Sequence, residues 1–469
     1  MSTPQSSRRT PPRVIARTQP VATRPERLKP FVPLPVKERL LSWAFRKRIH
    51  SFLRSSLWVV PAFSTLAAFL SVPLLRAIDR RLDFQFFRYS PDGARALATI
   101  VSAAMLSFVV LFFSVLLLTV QIASSSLSPR IISRPFRSRA LKASLGLFVF
   151  TLIYSMAVVA RGTEGNIGQL ATAMVIVLTI ISICVFLYVV EHVSKELRPV
   201  TVMAEIADEA IEVIRAVYPK MLEQSSGFEN QLDETPLGTP SGVVLHAGAS
   251  GVVQALDIAT LVEIATRAAC TIEVVPQVGD FVAGDDPVFR LYGESSGISS
   301  KQLLRHIALE RERTLEQDPA FAFRIIVDIA SKALSPAIND PTTAVLALDQ
   351  IHNLLRDVGM RRLDTGLVHD STGQLRVVYR TPDWEDFVRL AVTEIRQFGG
   401  NSTQVARRMR AMLQNLIPLL PPYRASVLRQ ELDLLKFTID RGFAMLQDRE
   451  RADLPDSQGL GGRRTAMIK

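Results

Sequence analysis

The chain has 469 residues, 48% of them apolar, with a mean hydropathy of +0.22 and a formal net charge of +11 at pH 7. The length leaves room for two or three domains, and high apolarity together with strong basicity fits membrane spans flanked by basic segments, not an ordinary soluble protein. Two cysteines, Cys184 and Cys270, exclude a disulfide framework and a cysteine zinc site.

Residues 1–36 are rich in Pro, Ser, Thr and Arg and read as a disordered basic tail. Beside a membrane such a tail meets anionic lipid heads at about 1 kcal/mol per close basic residue, or serves only as a topology signal. Residues 37–190 read as a transmembrane domain. Four stretches in it, 57–75, 96–120, 143–160 and 170–190, lack Asp, Glu, Lys, Arg and His. Each approaches the roughly 20 residues that cross a bilayer. Their apolarity on every face argues against helices buried in a soluble core, and lipid requires them to be helical because no water is present to satisfy the backbone. Arg46, Lys47, Arg48 and Arg54 precede the first stretch. Arg130, Arg134, Arg137, Arg139 and Lys142 lie between the second and third. Basic residues beside spans favour the cytoplasmic side, so four crossings leave both termini in the cytoplasm.

Residues 191–240 read as a juxtamembrane amphipathic helix, broken at Pro199, followed by a Gly-, Pro- and Ser-rich linker. Residues 241–293 alternate β-rich runs with turn signals at Gly279-Asp280 and Gly284-Asp285. They predict a small β-barrel or sandwich with one helix, "IATLVEIATRAA". Residues 294–447 predict a mainly helical domain. Its helices run through "SKQLLRHIALERERTLEQ", from Pro319 to Leu334, from Pro341 to Arg356, from Thr381-Pro382, from Ser402, and from Pro421-Pro422 to Gln447, with a hairpin turning at Asp370 to Gly373. Residues 448–469 read as a disordered tail. The fold class is thus a membrane α-helical part with four transmembrane helices plus a cytoplasmic α+β region.

The run "SPAINDPTT" raises the question of a site. Asp318, Asp340 and Thr381 each stand directly before a proline. A side-chain oxygen there accepts from the free N–H groups of a first helical turn. Proline at the first helical position loses no hydrogen bond and keeps its predecessor out of the α region, so all three are expected helix caps. Ser335, Asn339, Asp340, Thr342 and Thr343 are the candidate lining of a polar ligand pocket. Helix starts suit anions, although Asp340 opposes one. Arg324, Asp328 and Lys332, spaced by four, share a helix face and predict ion pairs along it.

Other chemistry is missing from the sequence. No Walker loop, dinucleotide fingerprint or Gly-x-Ser-x-Gly elbow occurs, and six histidines show no metal-ligand spacing. No cofactor or metal is expected, and an enzyme is the third-ranked reading. The basic charge lies mostly in the tail and membrane loops, which argues against nucleic acid as a partner.

The segments "LSPRIISRPFRSRALKASLGLFVFTLIYSM", "SGVVQALDIATLVEIA", "VGDFVAGDDPVFRL", "RTLEQDPAFAFRIIVDIASKALSPAINDPTTAVLALDQI" and "GQLRVVYRTPDWEDFVRLAVTEIRQFG" carry a resemblance. Over roughly residues 40–440 the chain resembles the bacterial predicted membrane proteins grouped as domain-of-unknown-function family 2254. The resemblance implies a multi-span inner-membrane protein with a cytoplasmic C-terminal region, and it brings no catalytic residues. The turn and strand at "VVPQVGDFVAGDDPVFRL" are also similar to biotinyl and lipoyl carrier domains, but the lysine those domains modify has no counterpart. Two functions are expected. One is a homo-oligomeric channel or transport-like protein, with Ser107 and Ser114 on one stripe of the second span, although no span holds a charge for an ion relay. The alternative is a membrane-anchored regulatory or scaffold protein whose cytoplasmic domain binds a protein partner or small ligand.

Overall fold

The computed structural model describes residues 56–82, 90–122, 124, 128, 130, 138–161, 169–196, 198–222, 237–294, 297–363 and 366–460. The expected tail over 1–36, with Arg46, Lys47, Arg48, Arg54, Arg134 and Arg137, lies outside the described residues.

The uncharged stretches of the first half form α1 (Val59–Leu82), α2 (Pro91–Ile122), α3 (Arg139–Arg161) and α4 (Gln169–Glu196). Three of them, α2, α3 and α4, are long and apolar enough to cross a membrane. The apolar part of α1 is the shorter run Val59–Leu75, ended in the sequence by Arg76 and then Asp79, Arg80 and Arg81. The α1 helix continues through Pro73.

The third helix is central: 50% of its apolar window is buried within the protein, against 22% for α2 and for α4. Hydroxyls join it to its neighbours. Ser102 donates to Ser155 at 2.8 Å, the Thr151 and Ser182 hydroxyls lie 3.2 Å apart, and Tyr154 donates to the Ala171 carbonyl at 3.3 Å. Such links compensate for the weak hydrophobic drive between helices in lipid. Phe108, Phe112, Phe148 and Phe186 form a ring cluster, with Phe108 and Phe186 edge-on at 4.9 Å. Gly146 lets α1 approach α3, because a Cβ there would stand 2.6 Å from Val60 Cγ1. Further along, Ala68 and Val72 share a cluster with Tyr154 and Ala157, so α1 and α3 run in the same direction. Ile100, Leu106, Val110 and Leu117 on α2, and Ile180, Ile181 and Leu187 on α4, are exposed. Large apolar side chains exposed in this number belong in lipid or against another chain.

After Arg198 the chain enters α5 (Pro199–Val217), whose Met203, Ile206, Ala210 and Ile214 are fully buried. They join one core with the helices of the C-terminal half: α7 (Pro319–Ala333), α8 (Pro341–Gly359), α9 (Trp384–Gly399), α10 (Thr403–Leu416) and α11 (Pro422–Gly442). The juxtamembrane helix is therefore part of that domain's core.

A second core lies between α6 (Ile258–Arg267) and the strands β1 (Gly242–Leu245), β2 (Gly251–Leu256), β3 (Cys270–Val274), β4 (Phe281–Val282), β5 (Pro287–Gly293), β6 (Ile307–Glu310), β7 (Leu367–His369) and β8 (Leu375–Tyr379). One sheet has the order β1-β5-β3-β8-β7 and the other β4-β2-β6. All pairs are antiparallel except β3 with β8, where Ile272 faces Val377. The β unit expected over 241–293 thus takes three strands from outside that range. A self-contained small barrel or sandwich gives way to two sheets completed by the later chain.

Four local expectations change for identifiable reasons. Residues 307–310 lie in the run expected to be helical, yet they form β6, because pairing with β2 buries Ile307 and Ala308. Thr381 does not cap a helix; it donates to the Leu363 carbonyl at 3.3 Å. Asp383 takes that role in a reciprocal box with Asp386. The last long helix stops at Gly442, and a short α12 (Leu446–Ala452) follows. The stretch after 448, expected to be a tail, packs as far as Leu460: Ala452 and Asp456 are buried, and the Asp456 N–H reaches the Arg407 carbonyl.

Candidate functional site

The two segments flanking α7, "EQDPAF" and "SPAINDPTT", act at its two ends. At the N-terminal end, Asp318 Oδ1 accepts from the Phe321 N–H at 3.0 Å, and Oδ2 pairs with Arg313. Burial pushes the Asp318 carboxyl up from its ordinary value despite the attraction of Arg313. Gln317 accepts from the Leu256 N–H at 3.0 Å, and Thr314 donates to Gln254 at 2.6 Å. This end of α7 is tied to β2.

Along its length α7 presents Arg324, Asp328 and Lys332. Arg324 bonds Asp328 at 2.7 Å and reaches across to Glu394 on α9 with both terminal nitrogens, one at 2.6 Å. The guanidinium beside Glu394 holds that carboxyl below its ordinary value, and the same bond raises Arg324. Asp328 also meets Arg130 at 2.8 Å, and Lys332 donates to the Ser124 carbonyl at 2.7 Å. Ser124 and Arg130 belong to the connection between α2 and α3. The face pairs within itself at Arg324–Asp328, as expected, and is in addition a contact strip between the membrane-type helices and the C-terminal domain. It also places Ser124 and Arg130, which follow α2, against that domain.

At its C-terminal end α7 leads into the turn. The Asn339 N–H bonds the Ser335 carbonyl at 2.8 Å, and the Asp340 N–H bonds the Ala333 carbonyl at 2.7 Å. Asn339 has φ of 48°, the left-handed region that Asn tolerates better than most residues. Asp340 accepts from the Thr343 N–H at 3.1 Å and from its hydroxyl at 2.5 Å. Asp340 and Thr343 are thus occupied with each other in capping α8. Ser335 is half-buried and Thr342 exposed. Of the five residues expected to line a pocket, Asn339 lines the cleft between these helix ends.

That pocket is an open cleft of about 820 Å³ between the C-terminal ends of α7, α9 and α11. Arg396 lines it, held by Glu431 at 3.3 Å and by the Thr438 hydroxyl at 3.2 Å. Arg441 lines it from α11, stacked over Phe437 at 5.5 Å. Asn401 and Ser402 close it at the start of α10. The corner is tight: a Cβ on Gly400 would stand 2.2 Å from Thr438 Cγ2 and 2.8 Å from the Arg396 carbonyl. Sequence reading missed Arg396, Asn401 and Arg441, which come from other helices. The Gly399-Gly400 pair before Ser402 was the available sign of a close corner.

The cleft offers guanidinium and amide donors and no nucleophile with an adjacent base. Among the described residues no group of three His, Cys, Asp or Glu side chains is placed to hold a metal. The arrangement can bind and orient a ligand.

Comparison with known proteins agrees with the membrane-type first half. The family model described as Predicted membrane protein (DUF2254) matches residues 54–415. Uncharacterized protein Rv1290c of Mycobacterium tuberculosis and Uncharacterized protein Mb1321c of Mycobacterium bovis are each 27% identical to this chain, the alignment covering 86% of it and 80% of the relative. No solved structure matches the chain.

Proposed function

Because the chain belongs to the family described as Predicted membrane protein (DUF2254), we propose that it is a membrane-anchored regulatory protein whose C-terminal domain is mechanically coupled to its membrane helices. In this reading α1 to α4 all cross the bacterial inner membrane, the lipid bilayer is their partner, and both termini are cytoplasmic. The α7 strip carries the proposal: Arg130 on Asp328, and Lys332 on the Ser124 carbonyl, join the α2–α3 connection to the helix that leads into the cleft. Arg324 extends the strip to Glu394 on α9, whose end forms another wall of that cleft. A ligand that moved the end of α7 or α9 would load the membrane helices through these bonds.

The test is hydrogen exchange on the full chain in lipid nanodiscs. Asp328→Asn should speed exchange in residues 123–138 while the core of α8 and α9 keeps its protection. Unchanged exchange over 123–138 would remove the coupling from the account.

The homo-oligomeric channel is the second reading. Ser107 and Ser114 are exposed on α2, and their hydroxyls are satisfied within the helix by Ala103 and Val110. They therefore supply a small polar strip against which another copy can pack closely. Single-channel recording and native mass measurement on Ser107→Leu test it. Current and assembly lost together support the pore, and an unaltered monomer without current rejects it.

A further inference from the structure

We propose that the cleft between the ends of α7, α9 and α11 binds the phosphate group of an amphiphilic ligand, with Arg396 and Arg441 as the cationic walls. The proposal deepens the regulatory reading, on which it rests for what binding would control, by naming the ligand class.

The cleft is cationic. The residues lining the cleft include two arginines and no Asp or Glu. Glu431, behind the wall, engages Nε of Arg396, and Thr438 engages one terminal nitrogen. The other terminal nitrogen of Arg396 makes no hydrogen bond to the described residues. Arg441 is exposed and forms no ion pair among the described residues; it lies over the Phe437 ring. Guanidinium groups suit phosphate because their planar fork donates two parallel bonds.

Asn401 and Ser402 bring the start of the 14-residue α10 to the cleft, and the Ser402 hydroxyl makes no capping bond. Among the described residues the first-turn N–H groups receive no side-chain cap, at the end of the helix dipole that favours negative charge. Asp318, Asp340 and Asp383 cap α7, α8 and α9 with carboxylates, whereas α5 and α11, like α10, have no side-chain cap, and of these three uncapped starts α10 is the one that lines the cleft.

Size and apolarity define the remainder of the ligand. A volume of about 820 Å³ far exceeds a lone phosphate and falls in the range of small-molecule sites. Phe398 and Phe437 line the cleft with 51% and 59% of their surfaces exposed. The ligand is therefore a phosphate ester with an apolar portion. A lipid headgroup and a soluble phosphorylated metabolite share this chemistry. Leu334 of the cleft follows Lys332 by two residues, and Lys332 touches the connection from α2, which brings the cleft close to the membrane end of the domain.

The experiment uses the full chain with two variants. Arg441→Gln removes an exposed cation that has no ion pair and should fold normally. Asn401→Asp places a carboxylate in the wall. Inorganic pyrophosphate is titrated calorimetrically into protein in neutral detergent. In parallel, thermal midpoints are compared between phosphatidylcholine nanodiscs and nanodiscs that also contain phosphatidylglycerol. Saturable pyrophosphate binding, weakened by about tenfold or more in both variants, supports the site with a soluble ligand. A phosphatidylglycerol-dependent rise in midpoint, lost in both variants and without pyrophosphate binding, supports it with a lipid ligand. Neither probe acting, or either acting equally on wild type and variants, overturns it. The exchange test on Asp328→Asn needs no ligand. Silence here with a response there removes the anion site and leaves the coupling; the reverse removes the coupling and leaves the site.

Discussion

Arg130 Nε lies 2.8 Å from Asp328 Oδ2, joining the connection between two membrane-length helices to the charged face of α7. The Arg130 side chain is 47% exposed and Asp328 22%, so solvent screens the pair. A double-mutant cycle with Arg130→Ala and Asp328→Ala should give a coupling of about 0.2–1 kcal/mol, measured by thermal unfolding in detergent. The coupling should shrink as salt is raised. A larger, salt-insensitive value would mean that the pair is shielded in the lipid-bound protein in a way this geometry does not provide.

Asp340 and Asn339 should respond to different substitutions. Asp340→Ala removes the acceptor for the Thr343 N–H and should cost about 1 kcal/mol in unfolding free energy. Asn339→Gly should be neutral, because glycine accepts a φ of 48° freely. Asn339→Val should cost about 1–2 kcal/mol, because a branched side chain opposes that backbone. Equal effects of Gly and Val would show that the left-handed turn is not held.

Gly400→Ala should cost about 1–3 kcal/mol by overpacking, since the added methyl meets both Thr438 Cγ2 and the Arg396 carbonyl. Thr438→Ser deletes the first obstacle only, so the double variant should regain part of the loss. Thermal midpoints of the three variants decide this. A fully tolerated Gly400→Ala would mean that the α9–α10 corner is looser than the cleft requires.

Two carboxylates should act in opposite directions with pH. Glu394 lies below its ordinary 4.5 because of the Arg324 hydrogen bond. Its stabilisation is present above 4.5 and is lost as pH falls through the lowered value. Asp318 lies above its ordinary 3.8 because it is buried. Its folded form holds the proton more tightly, so that contribution is complete below 3.8 and is lost as pH rises through the raised value. Between about pH 6 and about pH 3, Glu394→Gln should therefore flatten the acid decline in thermal midpoint, and Asp318→Asn should steepen it. Slopes are compared, because both substitutions also remove hydrogen bonds.

Elements set by local chemistry were legible in the chain. The uncharged stretches from 96, 143 and 170 are the long apolar helices α2, α3 and α4, because apolarity on all faces depends on no distant partner. The helices starting at Pro319 and Pro341 begin where Asp-Pro places them, since an aspartate oxygen and a proline ring act within one turn. The hairpin around Asp370 to Gly373 follows from its turn residues. Only the tertiary structure decided what depends on residues remote in sequence. Ile307–Glu310 is a strand because β2 offers it a ladder, and β8 joins its sheet by lying beside β3, with Thr271 and Leu375 bonded across a separation of 104 residues. Arg324, Asp328 and Lys332 could be placed on one face by counting, but not directed at Glu394, Arg130 and Ser124. The cleft is the extreme case: Asn339 was the one wall residue read in advance, because Arg396, Asn401 and Arg441 meet it through the packing of three helix ends, and no periodicity within a single helix records where its end will meet another.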